Sequence, residues 1–350
     1  MPASSSLAVQ LLAWYRRKAR DLPWRRTSDP YAIWISEIML QQTQVDTVIP
    51  YYERWLKHFP TVKKLAAANQ EEVMKFWAGL GYYRRARMLH EAAKKIAAEF
   101  KGRLPATAAE LIKLPGIGRY TAGAIASIAF GEKTPVLDGN VIRILTRIFA
   151  ISKDVQSPAA IKELWDIAAG LVPQKNPGDF NQAMMELGAT VCFPENPQCG
   201  VCPVQKSCKA HALGSETDFP FKGRREKLEK IRTAALVLRR NGSVLLKKQG
   251  THERWGGLWM FPHWPSKKAM LTESRLEAGR IRKRMSVRHG FTKYQVTLEV
   301  FEMKAAEETN SYAVRGTQHE TKWVAIGELA HHPLPSPHRK IAHDLAESND

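Results

Sequence analysis

The stretch Leu114-Pro115-Gly116-Ile117-Gly118-Arg119-Tyr120-Thr121-Ala122 separates two segments of helical character, residues 108–113 and Arg119–Phe130. Pro115 removes a backbone donor and two glycines follow it closely, so the chain turns here instead of continuing a helix. The helix that begins after Gly118 presents unpaired N–H groups, which suit an anion. A G-x-G alone is equally the connection of any helix–turn–helix, so its surroundings decide its meaning. Leu7, Leu11, Leu12, Trp14 and Tyr15 recur at helical spacing, as do Val73, Phe76 and Trp77. The Ala- and Ile-rich run 121–130 is too short to cross a bilayer and suits a buried helix. Residues 1–213 thus read as an all-α domain.

Beyond residue 213 the texture changes. Residues 214–230 are mostly polar, with Pro220, Gly223 and the basic run Lys222, Arg224, Arg225, Lys227, and read as a basic linker. Residues 231–350 then read as a smaller α+β domain. In it, 234–238 and 244–246 flank Asn241-Gly242, the pair favoured where both central turn residues need positive φ. Val296, Leu298 and Val300 alternate with Thr297 and Glu299, the pattern of a half-buried strand.

The 350 residues carry 53 Lys+Arg against 34 Asp+Glu, a formal charge of +19, with 44% hydrophobic residues. That apolar share supports ordinary cores and excludes a disordered chain. The excess is spread out: residues 1–221 hold 28 basic and 20 acidic groups, residues 222–350 hold 25 and 14. A polyanionic partner is expected. No apolar run reaches membrane-spanning length. At the N-terminus the basic cluster follows the apolar stretch, the reverse of a secretory signal, so a cytoplasmic, nucleoid-associated location is expected.

All four cysteines fall in one segment, Cys192, Cys199, Cys202 and Cys208, spaced C-x6-C-x2-C-x5-C. A reducing cytosol disfavours disulfides, and four thiolates at one point suit zinc or an iron–sulfur cluster; ligand chemistry leaves both open. Lys206 and Lys209 lie in the loop as phosphate contacts or plain surface charge. Two carboxylates stand out as well. Asp138, in Val136-Leu137-Asp138-Gly139-Asn140-Val141, has the setting of a helix cap. Glu37, in Ile33-Trp34-Ile35-Ser36-Glu37-Ile38-Met39-Leu40, sits in an apolar helical segment, where lost hydration would raise its pKa. An exposed stripe of an amphipathic helix is the plainer alternative for Glu37.

The cysteine spacing resembles the 4Fe–4S loop of the endonuclease III/MutY superfamily of DNA repair glycosylases. Leu-Pro-Gly-Ile-Gly-Arg followed by Thr-Ala resembles that superfamily's helix-hairpin-helix, and Ser36-Glu37 with Met39-Leu40-Gln41-Gln42-Thr43 resembles its MutY branch. The resemblance implies an all-α helix-hairpin-helix glycosylase domain with a 4Fe–4S loop. Cys192, Cys199, Cys202 and Cys208 would hold a structural cluster, and no catalytic metal would be needed. Gly116, Gly118 and Arg119 would grip the phosphate backbone without reading sequence. Glu37 would be the acid/base, and Asp138 the carboxylate facing the deoxyribose, oriented by Tyr120 and Asn140. Arg25 and Gln182 would line an adenine pocket. Gln42 and Tyr82, the latter in Gly79-Leu80-Gly81-Tyr82-Tyr83, would fill or prop the vacated base stack. Arg84, Arg85 and Arg87 follow, as phosphate contacts or plain surface charge.

Position 120 separates branches of the family. Endonuclease III has there a lysine that forms a Schiff base and cuts the strand; Tyr120 offers no amine, so a monofunctional enzyme is implied. A related thymine-mismatch glycosylase also carries tyrosine there. Trp255-Gly256-Gly257-Leu258-Trp259-Met260-Phe261-Pro262 resembles the MutT/Nudix-like domain appended to the MutY branch, without the G-x5-E-x7-R-E-x2-E-E metal box of Nudix hydrolases. Such a domain inspects the 8-oxoguanine opposite adenine. Phe291-Thr292-Lys293 stands where many bacterial relatives carry Phe-Ser-His, so Phe291 and Thr292 are the lesion-reading candidates and Lys293 is a departure. The implied partner is double-stranded DNA holding adenine opposite 8-oxoguanine or guanine, bound by a monomer and not at a membrane. Thymine-mismatch excision and non-catalytic damage binding are the alternatives.

Overall fold

Short polar side chains set the helix starts of the N-terminal part. Asp29, Thr61, Thr107, Asp138 and Ser157 each accept a hydrogen bond from a backbone N–H two or three positions on, and proline follows Asp29 and Ser157 directly. The chain is seen in a computed structural model that describes residues 2–223, 228–250, 253–274, 278–291, 293–305 and 320–348. Its helices are α1 (Pro2–Lys18), α2 (Pro30–Leu40), α3 (Val45–His58), α4 (Val62–Ala67), α5 (Gln70–Trp77), α6 (Arg84–Glu99), α7 (Ala108–Leu111), α8 (Arg119–Phe130), α9 (Gly139–Phe149), α10 (Pro158–Leu171), α11 (Pro177–Thr190) and α12 (Lys209–Ala212). Helix α7 ends after one turn, short of the 108–113 read from sequence. No helix among the described residues is long and apolar enough to cross a membrane.

Contacts divide the chain into two compact units, Met1–Gln70 with Arg85–Arg225, and Glu71–Arg84 with Glu226–Asp350. In the first, Leu7, Leu11 and Trp14 of α1 pack with Val141, Ile144, Leu145 and Ile148 of α9, Leu164 of α10, and Phe180, Met184 and Leu187 of α11. These positions recur at three- and four-residue steps, one stripe per helix. Helix α2 differs, being buried from Tyr31 to Met39 on every side, Glu37 included.

The polar stretch expected as a linker from residue 214 is tied down for part of its length. Arg147 Nε donates to the carbonyls of Glu216 at 2.7 Å and Phe219 at 3.2 Å, and the Val155 N–H donates to Phe221 O at 3.1 Å. These bonds all go to backbone carbonyls, so this part of the stretch belongs to the first unit whatever its side chains. In the second unit the Tyr83 hydroxyl donates to Leu334 O at 3.1 Å and accepts from Arg339 Nη2 at 2.9 Å.

The second unit is built on a sheet of seven strands among the described residues: β1 (Glu229–Arg240), β2 (Ser243–Lys248), β3 (Trp259–Met260), β4 (His263–Trp264), β5 (Arg282–Phe291), β6 (Tyr294–Lys304) and β7 (Thr321–Ala325). The main order is β3-β2-β1-β6-β5, with β4 paired to β1 and β7 to β2. Strands β1 and β6 run parallel, from Glu229 opposite Tyr294 to Arg239 opposite Lys304. Helix α13 (Lys267–Ser274) contributes Met270 to one face, beside Leu236, Trp264 and Phe301. Helix α14 (Ser336–Glu347) covers the other with Ile341 and Leu345, against Val237, Leu298 and Val300. Asn241 and Gly242 have φ of 46° and 71°, as the β1–β2 turn requires. The sheet is covered on both faces, so the alternation in β6 gives way to a buried run at Val300, Phe301 and Glu302.

Candidate active site

Pro30 starts α2 and its apolar run buries it whole, which leaves Glu37 only 5% exposed. The Tyr120 hydroxyl, in the first turn of α8, donates to Glu37 Oε2 at 2.8 Å and also lies 3.1 Å from Met185 Sδ. Burial raises the Glu37 pKa to about 7; Tyr120 opposes the rise, nearby Asp138 adds to it, and Arg25 opposes it. The carboxyl is thus split between its acid and its anion near neutral pH.

Asp138 caps α9, its Oδ1 accepting from the Val141 N–H at 2.7 Å and its Oδ2 from Asn140 Nδ2 at 3.1 Å. Burial raises its pKa as well, against those two donors. The two carboxyls differ in what surrounds them: donors hold the Asp138 anion, whereas Glu37 has an apolar helix around it. Sequence reading gave Tyr120 the task of orienting Asp138; its hydroxyl goes to Glu37 instead. Helix α8 packs on α2, and the Asp138 oxygens are already taken by α9 and Asn140.

The hairpin glycines are unequal. Gly116 has φ +75° and a Cβ there would stand 2.5 Å from Met88 Cβ, so only glycine fits. Gly118 is the extended residue before α8, with nothing within 4 Å of an added Cβ. Its bareness leaves the α8 N-terminus open, where the first intrahelical bond is Ala122 N–H to Gly118 O. Arg119 is exposed, its guanidinium 4.0 Å from the Trp165 ring centroid.

Arg25 Nη2 donates to Glu186 Oε2 at 2.8 Å, and Gln182 is half-buried one turn earlier on the same α11. Gln42 is exposed with φ 55°, and Tyr82 is 60% exposed with φ 46°, a left-handed backbone uncommon outside glycine. Arg85, which by sequence could neutralise phosphate or be plain surface charge, does neither: it fixes the end of α2, its Nη1 donating to Ile38 O, Met39 O and Gln41 O at 2.6–2.9 Å, and its Nη2 to Thr43 Oγ1. In the second unit, Phe291 ends β5 with the Arg254 guanidinium 3.2 Å from its ring centroid and Tyr294 at 5.1 Å. Thr292 lies outside the described residues. Lys293 Nζ pairs with Glu229 Oε1 at 2.6 Å, so its charge is partly answered within the protein.

Cys192, Cys199, Cys202 and Cys208 line one cavity with Arg147, His211 and Glu216. Arg147 is 2% exposed; its Nη1 donates to Cys192 Sγ at 3.2 Å and Phe193 O at 2.6 Å, and its Nη2 to Pro194 O at 2.8 Å. His211 Nδ1 lies 2.6 Å from Glu216 Oε1, and Cys199 Sγ 3.4 Å from the same oxygen. Four sulfur donors around one cavity, with a buried cation on the first, fit an anionic metal–thiolate centre.

Sequence reading missed the buried ions behind these groups. Arg143 joins Asn140 Oδ1 at 2.9 Å, Gly188 O at 2.8 Å and Cys192 O at 2.8 Å. Glu186, whose side chain is fully buried, holds Arg20 and Arg25. An acid inside the apolar α11 was the visible signal, but its partners lie more than 160 positions away.

Against known proteins, residues 35–169 match the HhH-GPD superfamily of base excision DNA repair proteins, and residues 233–344 the NUDIX domain. The adenine DNA glycosylase of Homo sapiens is 41% identical over 357 residues, covering 83% of this chain and 65% of that protein. That of Rattus norvegicus is 55% identical over 210 residues, covering 57% of this chain and 41% of that one. The chain therefore spans less than two thirds of these two mammalian relatives. The adenine DNA glycosylase of Buchnera aphidicola subsp. Acyrthosiphon pisum (strain APS) is 33% identical, with 97% of both chains covered. Among solved structures, a thermostable thymine-DNA glycosylase has a TM-score of 0.55 at 30% identity, covering 60% of this chain and 97% of that one. An endonuclease III–DNA complex, with a TM-score of 0.51 at 21% identity, covers 60% and 97% and shares the fold. With the helix-hairpin-helix and NUDIX regions in this order and a relative spanned almost end to end, the chain belongs to the adenine DNA glycosylase family.

Proposed function

We propose that this protein removes adenine paired with 8-oxoguanine or guanine from duplex DNA and leaves the strand uncut. The observation that carries the reading is Glu37, a carboxyl buried in an apolar helix, poised near neutrality and hydrogen-bonded by Tyr120. Adenine inside a duplex is out of reach, so the nucleotide is flipped out, at about a few kcal/mol of unstacking. Gln42 and Tyr82 support the opened stack, and Arg25 and Gln182 line the adenine pocket. Adenine anion leaves poorly; protonation at N7 by Glu37 lets it depart neutral. Positive charge then builds on the sugar, as in glycoside hydrolysis, and the Asp138 anion held by Asn140 stabilises it. Water completes the hydrolysis with Glu37 as base. No amine stands at position 120 to form a Schiff base, so the product is an abasic site in an intact strand.

The α8 N-terminus after Gly118 holds phosphate, with Gly116 shaping the turn and Arg119 adding charge. The MutT-like domain reads the base opposite adenine, Phe291 and Thr292 being its candidates for contact. Cys192, Cys199, Cys202 and Cys208 hold a 4Fe–4S cluster, which when bound ties the loop around it and takes no part in excision. Purified protein is then brown, with iron and sulfide in equal amounts. Glu37→Gln tests the central role: excision is abolished while duplex binding stays within about twofold. Near-normal turnover by this variant contradicts the acid assignment.

A further inference from the structure

Arg254, in the second unit, lies against two aromatic rings. Its guanidinium carbon stands 3.2 Å from the Phe291 ring centroid and 4.1 Å from that of Trp255. Trp255 has φ 62°, a left-handed backbone that bulky residues rarely adopt, so packing and not chain preference keeps its ring there. The same ring meets His338 at 5.7 Å, His289 at 5.8 Å and His263 at 6.5 Å. Burial holds these imidazoles neutral, pushing His263 and His289 down to about 4 and His338 well below the ordinary imidazole range. Among the described residues no carboxylate pairs with Arg254, and burial alone moves its pKa, down to about 10, so it stays charged. A guanidinium stacked on rings keeps its in-plane N–H donors available, and here nothing described takes them.

Phe291 opens the loop whose next residues are Thr292 and Lys293. The cation of that loop is already engaged, Lys293 Nζ meeting Glu229 Oε1 at 2.6 Å. Arg254 thus brings to the Phe291 ring a charged donor that the loop itself does not offer. 8-Oxoguanine differs from guanine by a carbonyl oxygen at C8 in place of hydrogen, and by an N–H at N7 in place of a lone pair. A guanidinium only donates, so it gains a partner at the added oxygen and meets a bare C–H in guanine. We propose that Arg254 is a specificity-determining residue of the second unit, donating from its ring-held guanidinium to the C8 oxygen of 8-oxoguanine. This rests on the reading of the MutT-like domain as the part that inspects the base opposite adenine. A backbone phosphate accepts charge from many directions; a plane fixed on two rings, one of them on a costly backbone, suits an acceptor of fixed direction.

The test compares an 8-oxoguanine·adenine duplex with a guanine·adenine duplex, for the full chain with Arg254, Arg254→Met and Arg254→Lys. Single-turnover excision is followed directly, and affinity is measured with Glu37→Gln added so that the duplex stays whole. The preference for 8-oxoguanine falls about tenfold in Arg254→Met, because a hydrogen bond from a charged donor is lost. It falls in Arg254→Lys as well, because the ammonium keeps the charge and not the plane, while affinity for undamaged duplex is kept. Arg254 is exposed, so melting temperatures stay level. An unchanged preference overturns the proposal. So does an equal loss on both duplexes with a salt slope shallower by about 0.9, the mark of a phosphate contact. Full rescue of the preference by Arg254→Lys overturns the part played by the rings. If wild type excises from neither duplex, the adenine reading fails, and the affinity ratio, then measured without Glu37→Gln, still decides Arg254.

Discussion

A carboxyl with a pKa of about 7 can give a proton and take one back at the same pH, which is what the proposed two-stage hydrolysis asks of Glu37. Donation needs the protonated form, so the excision rate falls as pH rises through about 7, approaching tenfold per unit beyond it. A single-turnover pH profile checks this, and a rate that climbs into alkali contradicts it. Tyr120→Lys puts an amine where the lyase branch of the superfamily carries its lysine and should yield strand breaks without alkali, at a rate below that of base loss. Their complete absence on a gel means that the lyase geometry is missing. That Trp34, Ile35 and Ile38 flank Glu37 was legible in the sequence; that α2 is buried on every side, which excludes an exposed stripe, was not. The bond from Tyr120 was not, since it joins residues 83 positions apart.

Among the elements, α9 joins the two candidate sites of the helical unit. Its cap is Asp138, and Arg143 and Arg147, one turn apart, reach Cys192 O and Cys192 Sγ. Gly188 on α11 makes room for this arrangement, because a Cβ there would stand 2.5 Å from Asn140 Cβ. Gly188→Ala should push Asn140 off Asp138 and lower excision by about tenfold to a hundredfold, with duplex binding retained. Unchanged turnover means that Asn140 does not matter to Asp138. At the hairpin, Gly118→Ala fits the fold, so the melting temperature stays put; it covers the open α8 N-terminus, so DNA affinity falls. Unchanged affinity by anisotropy removes the phosphate role of that turn. Some element boundaries follow from local chemistry: Asp138 and Asn241-Gly242 can be read directly. The shortness of α7 and the buried run in β6 cannot, because they depend on what the fold lays against them.

Over the whole molecule the charge of +19 becomes a statement about DNA. Both the 1–221 and the 222–350 stretches carry a positive excess, so binding should weaken steeply with salt, log K falling with a slope of about −0.9 per phosphate neutralised. Undamaged duplex should show nearly the same slope, since charge finds DNA without reading it. A slope near zero by titration in salt means that the excess does not face the duplex. Arg85, Arg143, Arg147 and Lys293 spend charge inside the protein, on α2, on the cysteine loop and on Glu229. Net charge therefore overstates what a polyanion would meet, and only tertiary structure separates the two. In the proposed function the specific chemistry lies with two carboxyls, Glu37 and Asp138. The direct measurement is incubation of the protein with an 8-oxoguanine·adenine duplex and with a thymine·guanine duplex, each analysed with and without alkali. The expected result is an alkali-labile site at adenine alone and an uncut strand before alkali. An abasic site at thymine, strand breaks without alkali, or tight binding with no abasic product would contradict it.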